Sequence, residues 1–170
     1  MEHLLENNTL KVLDLNANEI AFKGCEAIAK YLKGENCSLE SLHLANNKCS
    51  DYEAKAIAQA LAVNKSLIHL DMTYNDINDF GLTLFAQSLT QNSTLMSFKI
   101  FGNHFGQQCL KLFCGLFESE RENPWFPVRA WLLSYSGPRR DRKGGNPFQK
   151  RITFSHGKSK TRCNHHLDHQ

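Results

Sequence analysis

Apolar residues recur in a fixed frame through the first two-thirds of the chain. Leu10, Leu13, Leu15 and Ile20 stand around Asn18, and Leu39, Leu42, Leu44 and Cys49 around Asn47. The frame returns as Leu67, Leu70, Met72 and Ile77 around Asn75, and as Leu95, Phe98, Ile100 and Phe105 around Asn103. The asparagines lie 29, 28 and 28 residues apart, so the chain is built from four repeats, 1 to 4 in chain order. Two periods follow one another inside each repeat. Leu13 and Leu15 alternate across Asp14, the pattern of a short strand buried on one face. Cys25, Ile28, Ala29 and Leu32 then fall at i, i+3, i+4 and i+7, one face of a helix. The same slots hold Ala54, Ile57, Ala58 and Leu61, then Leu82, Phe85, Ala86 and Leu89, then Leu110, Phe113, Cys114 and Phe117.

Strand leucines and helix stripe must bury each other, and only the neighbouring repeats can cover the edges of that core. The pattern predicts an α/β right-handed solenoid, a short horseshoe arc with parallel strands on the concave side and helices on the convex side. Asn18, Asn47, Asn75 and Asn103 follow the strands. Their amides are expected to form a structural ladder bonding the turning backbone of their own and adjacent repeats.

This frame resembles the leucine-rich repeat, and its length and helical second half are similar to the ribonuclease-inhibitor-like family. That family includes ribonuclease inhibitor, the Ran GTPase-activating protein and the sensor arrays of NOD-like receptors. The shared pattern covers roughly residues 4–117 and is specific for fold, not for partner. Within it, Ile100-Phe101-Gly102-Asn103-His104-Phe105 followed by Cys109 resembles the closing repeat of the leucine-rich repeat-containing protein "thirty-four" type. The resemblance implies an intracellular scaffold with nuclear or nucleolar and cytoplasmic pools, and it carries over no catalytic residues.

Charge divides the chain. Residues 1–120 carry nine Lys/Arg against fourteen Asp/Glu, whereas 121–170 carry eleven against three and all four prolines. The expected organisation is a solenoid over 1–120, with a partial repeat at 1–9, a cap segment at 121–136 and a disordered basic tail at 137–170. Pro124-Trp125-Phe126-Pro127-Val128 and Trp131-Leu132-Leu133 supply apolar area for the cap. The basic segment 139–162 makes weak nucleic-acid contact a rival reading, and translation of an alternative exon or unspliced sequence, with no selected function, is another. Leu4 lies 28 residues before Leu32, and Asn7-Asn8-Thr9-Leu10 matches Asn64-Lys65-Ser66-Leu67. The expectation is therefore a fragment or isoform of a longer array.

The remaining composition narrows the chemistry. Of the 170 residues 41% are hydrophobic, yet no run approaches the ~18 apolar residues of a membrane helix, so no membrane partner is expected. The start shows no secretory signal, and with six cysteines reduced thiols are the expectation. Cys25, Cys49 and Cys114 occupy apolar slots, whereas Cys37 occupies an exposed turn slot and is the expected reactive thiol. The Asn-x-Ser/Thr triplets at Asn7, Asn36, Asn64 and Asn92 share one turn position, so a backbone-bonding role is preferred over glycosylation. Cys163-x-His165-His166-x-x-His169 lacks a second ligand pair, and no metal or cofactor is assigned. Phosphate loop, nucleophile elbow and HExxH motif are all missing, so neither catalysis nor a small-molecule substrate is expected.

What remains is the concave face. Side chains between the strand leucines stack across a parallel sheet, giving the rows Asp14, His43, Asp71, Lys99 and Val12, Ser41, His69, Ser97. Beyond them come Asn16, Ala45, Thr73, Phe101 and Ala17, Asn46, Tyr74, Gly102. The candidate contacts for a protein partner are Asp14, Asn16, His43, His69, Asp71, Thr73, Tyr74, Lys99 and Phe101. Aromatic rings give area at low entropy loss, and the charges give complementarity. Regulation or inhibition of an enzyme is compatible with such a face. The compartment expected is intracellular: cytoplasm, nucleus or nucleolus.

Overall fold

A computed structural model describes residues 6–122, with side chains described to Leu116. The expectations for residues 1–5, the rest of the cap segment and the basic tail lie outside the described residues. Four strands of three residues each, β1 (Val12–Asp14), β2 (Ser41–His43), β3 (His69–Asp71) and β4 (Ser97–Lys99), form one parallel sheet in chain order. They alternate with helices α1 (Phe22–Leu32), α2 (Asp51–Val63), α3 (Asp79–Leu89) and α4 (Gln107–Glu122). Each helix packs on the next, so every turn of chain is a strand–helix–strand crossover, right-handed by the general rule for parallel neighbours. The register pairs Leu13, Leu42, Leu70 and Phe98 in one inward row, buried from Leu42 on and half-buried at Leu13.

The core is continuous along the coil. Leu39, Leu42 and Leu44 of repeat 2 are fully buried beneath Ile57 and Leu61, and repeats 3 and 4 share the tilted ring pair Phe85–Phe98, centroids 5.0 Å apart. In repeat 1 the equivalent Leu10, Leu13, Leu15 and Ile20 are half-buried among the described residues.

Asparagine amides tie the loops together. Asn47 Oδ1 accepts the backbone N–H groups of Asn18 and Ile20, and its Nδ2 donates to the carbonyls of Leu15 and Leu44. Asn75 likewise accepts from Cys49 N and donates to Leu44 and Met72, and Asn103 accepts from Ile77 N and donates to Met72 and Ile100. A second row lies at the helix-to-strand turns. Asn64 and Asn92 are 3% and 1% exposed. Their Oδ1 atoms accept two backbone N–H groups each, and their Nδ2 atoms donate to Leu32 and Leu61 carbonyls. A glycan on either nitrogen would break this packing. Asn36 differs: it is exposed, in the repeat that is one residue longer.

The helix starts are capped from the repeat behind. Asp51 Oδ1 accepts Asn78 N–H at 2.8 Å and Gly81 N–H at 3.1 Å, and Asp79 accepts Cys109 N–H at 2.8 Å and Gln108 N–H at 3.3 Å. Glycine is required where the carboxylate passes: a Cβ at Gly81 would lie 2.6 Å from Asp51 Oδ1. Phe22 occupies the equivalent slot in repeat 1 and supplies no carboxylate, and there α2 caps itself, with Glu53 accepting from Ser50 N–H and hydroxyl. Burial raises the Asp79 carboxyl, but bonds from the Cys109 thiol and the nearby backbone N–H groups outweigh it and hold Asp79 below its ordinary range. A depressed carboxylate contributes stability above its unfolded pKa and loses it as pH falls through the folded value. Asp79→Asn is therefore expected to lower stability at neutral pH by about 1 kcal/mol, with a smaller difference from wild type at acidic pH, read by urea unfolding at both.

The cysteines depart from expectation in two places. Cys25, Cys49 and Cys109 are buried. Cys37 is not exposed but half-buried, because Ser66 and Asn64 of the next repeat lie over its sulfur and donate to it. Stacking of successive turns covers a slot that looks open in a single repeat. Cys114 is only partly buried on the last described helix.

Candidate protein-interaction face

The sheet register sets Asp14, His43, Asp71 and Lys99 side by side, and Val12, Ser41, His69 and Ser97 in the row before. Their neighbours decide which are available to a partner. Asp71 is held twice: its Oδ2 lies 3.6 Å from Lys99 Nζ, and its Oδ1 accepts the Thr73 N–H and hydroxyl at 3.0 and 2.7 Å. Thr73 thereby faces Asp71, and its hydroxyl proton is used. Asp14 repeats the local turn by accepting Asn16 N–H at 3.0 Å, and Asn16 Oδ1 in turn accepts Ala45 N–H at 2.7 Å. Asn16 thus joins repeats 1 and 2 through its carbonyl oxygen. Asp14, His69 and Lys99 are exposed and His43 is half-buried. Among the described residues, no three His, Cys, Asp or Glu side chains converge as metal ligands would.

Tyr74 and Phe101 belong to different rows in the sequence, and the coil brings them together. Their rings meet edge to face, centroids 5.2 Å apart at 88°. Tyr74 remains 58% exposed. Its backbone has φ +52°, a left-handed conformation that a bulky residue adopts only under strain. The same slot is left-handed in every repeat, with φ +56° at Ala17, +54° at Asn46 and +77° at Gly102. The turn demands it, because the N–H there reaches across to the next repeat: Tyr74 N donates to Phe101 O at 2.7 Å and Asn46 N to Thr73 O at 2.8 Å. Asn and Gly suit the slot; Tyr does not. Gly102 makes room for the ring, since a Cβ there would sit 2.5 Å from Tyr74 Cδ1. This strain and clearance escape a reading of single rows, although Asn46 and Gly102 in one slot mark a left-handed turn. Lys48–Glu19 and His104–Asp76 pairs line the rim beside it, at 3.1 and 3.0 Å, and both are well exposed. Such pairs contribute little to stability.

A coil of parallel strands and outer helices tied by asparagine amides defines the class: the chain is a leucine-rich repeat solenoid, the architecture of a protein-interaction module. A family model described as leucine-rich repeat matches residues 6–29 and 63–86. Among curated relatives, the human (Homo sapiens) NLR family CARD domain-containing protein 3 is 39% identical over 59 residues, 35% of this chain and 6% of that protein. Protein NLRC3 of Mus musculus is 42% identical over 59 residues, with the same coverage of 35% and 6%. The chain thus matches only a small part of the length of these relatives. Among solved structures, "Leiomodin-1 Actin-Binding Site 2 (ABS2)" superposes with a TM-score of 0.62 at 22% identity, covering 76% of this chain and 73% of that one. That likeness is one of fold. No helix among the described residues is long and apolar enough to cross a membrane.

Proposed function

We propose that the chain is a non-catalytic interaction scaffold that takes a protein partner on its concave side, centred on Tyr74 and Phe101. The observation that carries this reading is the Tyr74 ring. It is held in a strained backbone slot, braced by Phe101 and given clearance by Gly102, yet most of it faces solvent. Strain kept at an exposed aromatic is unfavourable for folding alone and fits a preorganised contact. On the same sheet Asp14, His43, His69 and Lys99 supply polar groups, with charge at Asp14 and Lys99, that a partner must complement. The chain functions, in this reading, as one stretch of a longer intracellular array of the ribonuclease-inhibitor-like kind, and its last repeat resembles the "thirty-four" type. Cytoplasm and nucleus are the proposed compartments.

Proximity labelling in cells, with the wild-type chain and with Tyr74→Ala/Phe101→Ala, tests the reading. A partner identified with the wild type is expected to bind the double variant at least about tenfold more weakly, as truncation of two central aromatics does at other interfaces. The variant should keep its circular dichroism spectrum. Unchanged affinity would remove this face from consideration.

A further inference from the structure

Repeats 1 and 2 hold two thiols in contact. Cys25 stands on α1 and Cys49 in the loop between β2 and α2; both are fully buried, and their sulfurs lie 3.2 Å apart. Cys49 Sγ has one further neighbour, the Ile20 carbonyl at 3.8 Å, so neither thiol is committed to a strong bond elsewhere. The other buried thiol, Cys109, faces the Gly106 carbonyl and the Asp79 carboxylate instead. Approach by a further ~1 Å brings the Cys25 and Cys49 sulfurs to bonding distance. We propose that Cys25 and Cys49 form a peroxide-responsive modification site, closing to an intramolecular disulfide that staples the first repeat to the second.

The chemistry balances with hydrogen peroxide as the oxidant. One thiol loses its proton, and the thiolate attacks a peroxide oxygen, breaking the O–O bond to give a sulfenic acid and hydroxide, which takes up the proton as water. The second sulfur attacks the sulfenic sulfur, the S–S bond forms, and the S–OH oxygen leaves as water with the second thiol's proton. Two thiols and one peroxide become one disulfide and two waters; the sulfurs supply the two electrons. Access comes from the architecture. Leu10, Leu13, Leu15 and Ile20 of repeat 1, which pack against the core, are only half-buried among the described residues, so local opening of this repeat can admit peroxide without global unfolding. In the closed state the hydrogen bond to Cys49, then burial, push the Cys25 thiol far above its ordinary range, so the thiolate forms during opening. The pair is therefore slower than a surface thiol and selective in outcome, because reclosure sets the second sulfur against the first.

The test uses the full chain. Native protein is treated with hydrogen peroxide, quenched with catalase, unfolded, alkylated with N-ethylmaleimide and digested. A dithiothreitol-reversible peptide joining Cys25 to Cys49 is expected, together with a thermal midpoint several degrees above that of the reduced protein, since the link closes a loop in the unfolded chain. Cys25→Ala, a residue the same slot already holds as Ala54, should fold normally and show neither change. Recovery of Cys25 and Cys49 as separately alkylated peptides, or links of either one mainly to Cys37 or Cys114, would overturn the proposal. So would a Cys25–Cys49 link that forms only when peroxide is added to unfolded protein.

Discussion

Asn47→Ala is expected to lower the unfolding free energy by about 2 kcal/mol or more, because the partly buried Asn18 and Ile20 N–H groups and the Leu15 carbonyl lose this partner at once, while the Leu44 carbonyl keeps the Asn75 amide. Asn47 Oδ1 serves the N–H groups of Asn18 and Ile20 at 3.1 and 2.8 Å, and Nδ2 serves the Leu15 and Leu44 carbonyls at 2.9 and 3.0 Å. Leu15 and Ile20 are half-buried and Leu44 is fully buried, so water replaces only part of what the amide supplies. Each unsatisfied buried group costs about 1–3 kcal/mol, and partial relaxation recovers some of the sum. Asn47→Asp separates the two halves of the role: it keeps the acceptor but turns a second oxygen toward carbonyls, so it should be no better tolerated than alanine. Urea unfolding of both variants checks this. A loss below about 1 kcal/mol for Asn47→Ala would mean that the loops hold themselves without the amide.

The second large effect is expected at Phe85. Its ring is fully buried between α3 and β4 and meets Phe98 at 5.0 Å. Phe85→Ala should lower stability by about 3–5 kcal/mol through lost transfer energy and a residual cavity. Phe98→Ala should do nearly as much, and the double variant should fall short of additivity by about 0.5–1.5 kcal/mol because the ring pair is lost once only. Fluorescence- or dichroism-detected urea unfolding of the two single variants and the double supplies the cycle. Strict additivity would show that the two rings fill space independently.

Much of the coil was legible because its frame is periodic. Leu13, Leu42, Leu70 and Phe98 fall in one row of the sequence and in one row of the sheet. The same alignment places Asp14, His43, Asp71 and Lys99 correctly as neighbours, since a parallel sheet without a register slip keeps alignment columns together. It fails where contacts run diagonally. Tyr74 and Phe101 sit in different columns, and their pairing depends on the left-handed turn at Tyr74 and on the bare backbone of Gly102. It fails again where one repeat serves the next: Asp51 and Asp79 look like ordinary first-turn acids, yet each caps the helix ahead of it. Cys37 appears open because a single repeat does not show the Asn64 and Ser66 that cover it.

The capping arrangement has a consequence for how the units may be ordered. The loops of repeats 1 to 3 are clamped from the repeat ahead, by an asparagine, while α3 and α4 are capped from the repeat behind, by an aspartate. Repeat 1 presents Phe22 to its successor and can stand only before a unit that carries its own carboxylate, as repeat 2 does with Glu53. Repeat 3, with Gly81 where repeat 2 has Glu53, needs an acid behind it. Excising residues 39–66 would abut two edges that do not match, so these look-alike modules are keyed, and their sequence along the coil cannot be permuted without penalty.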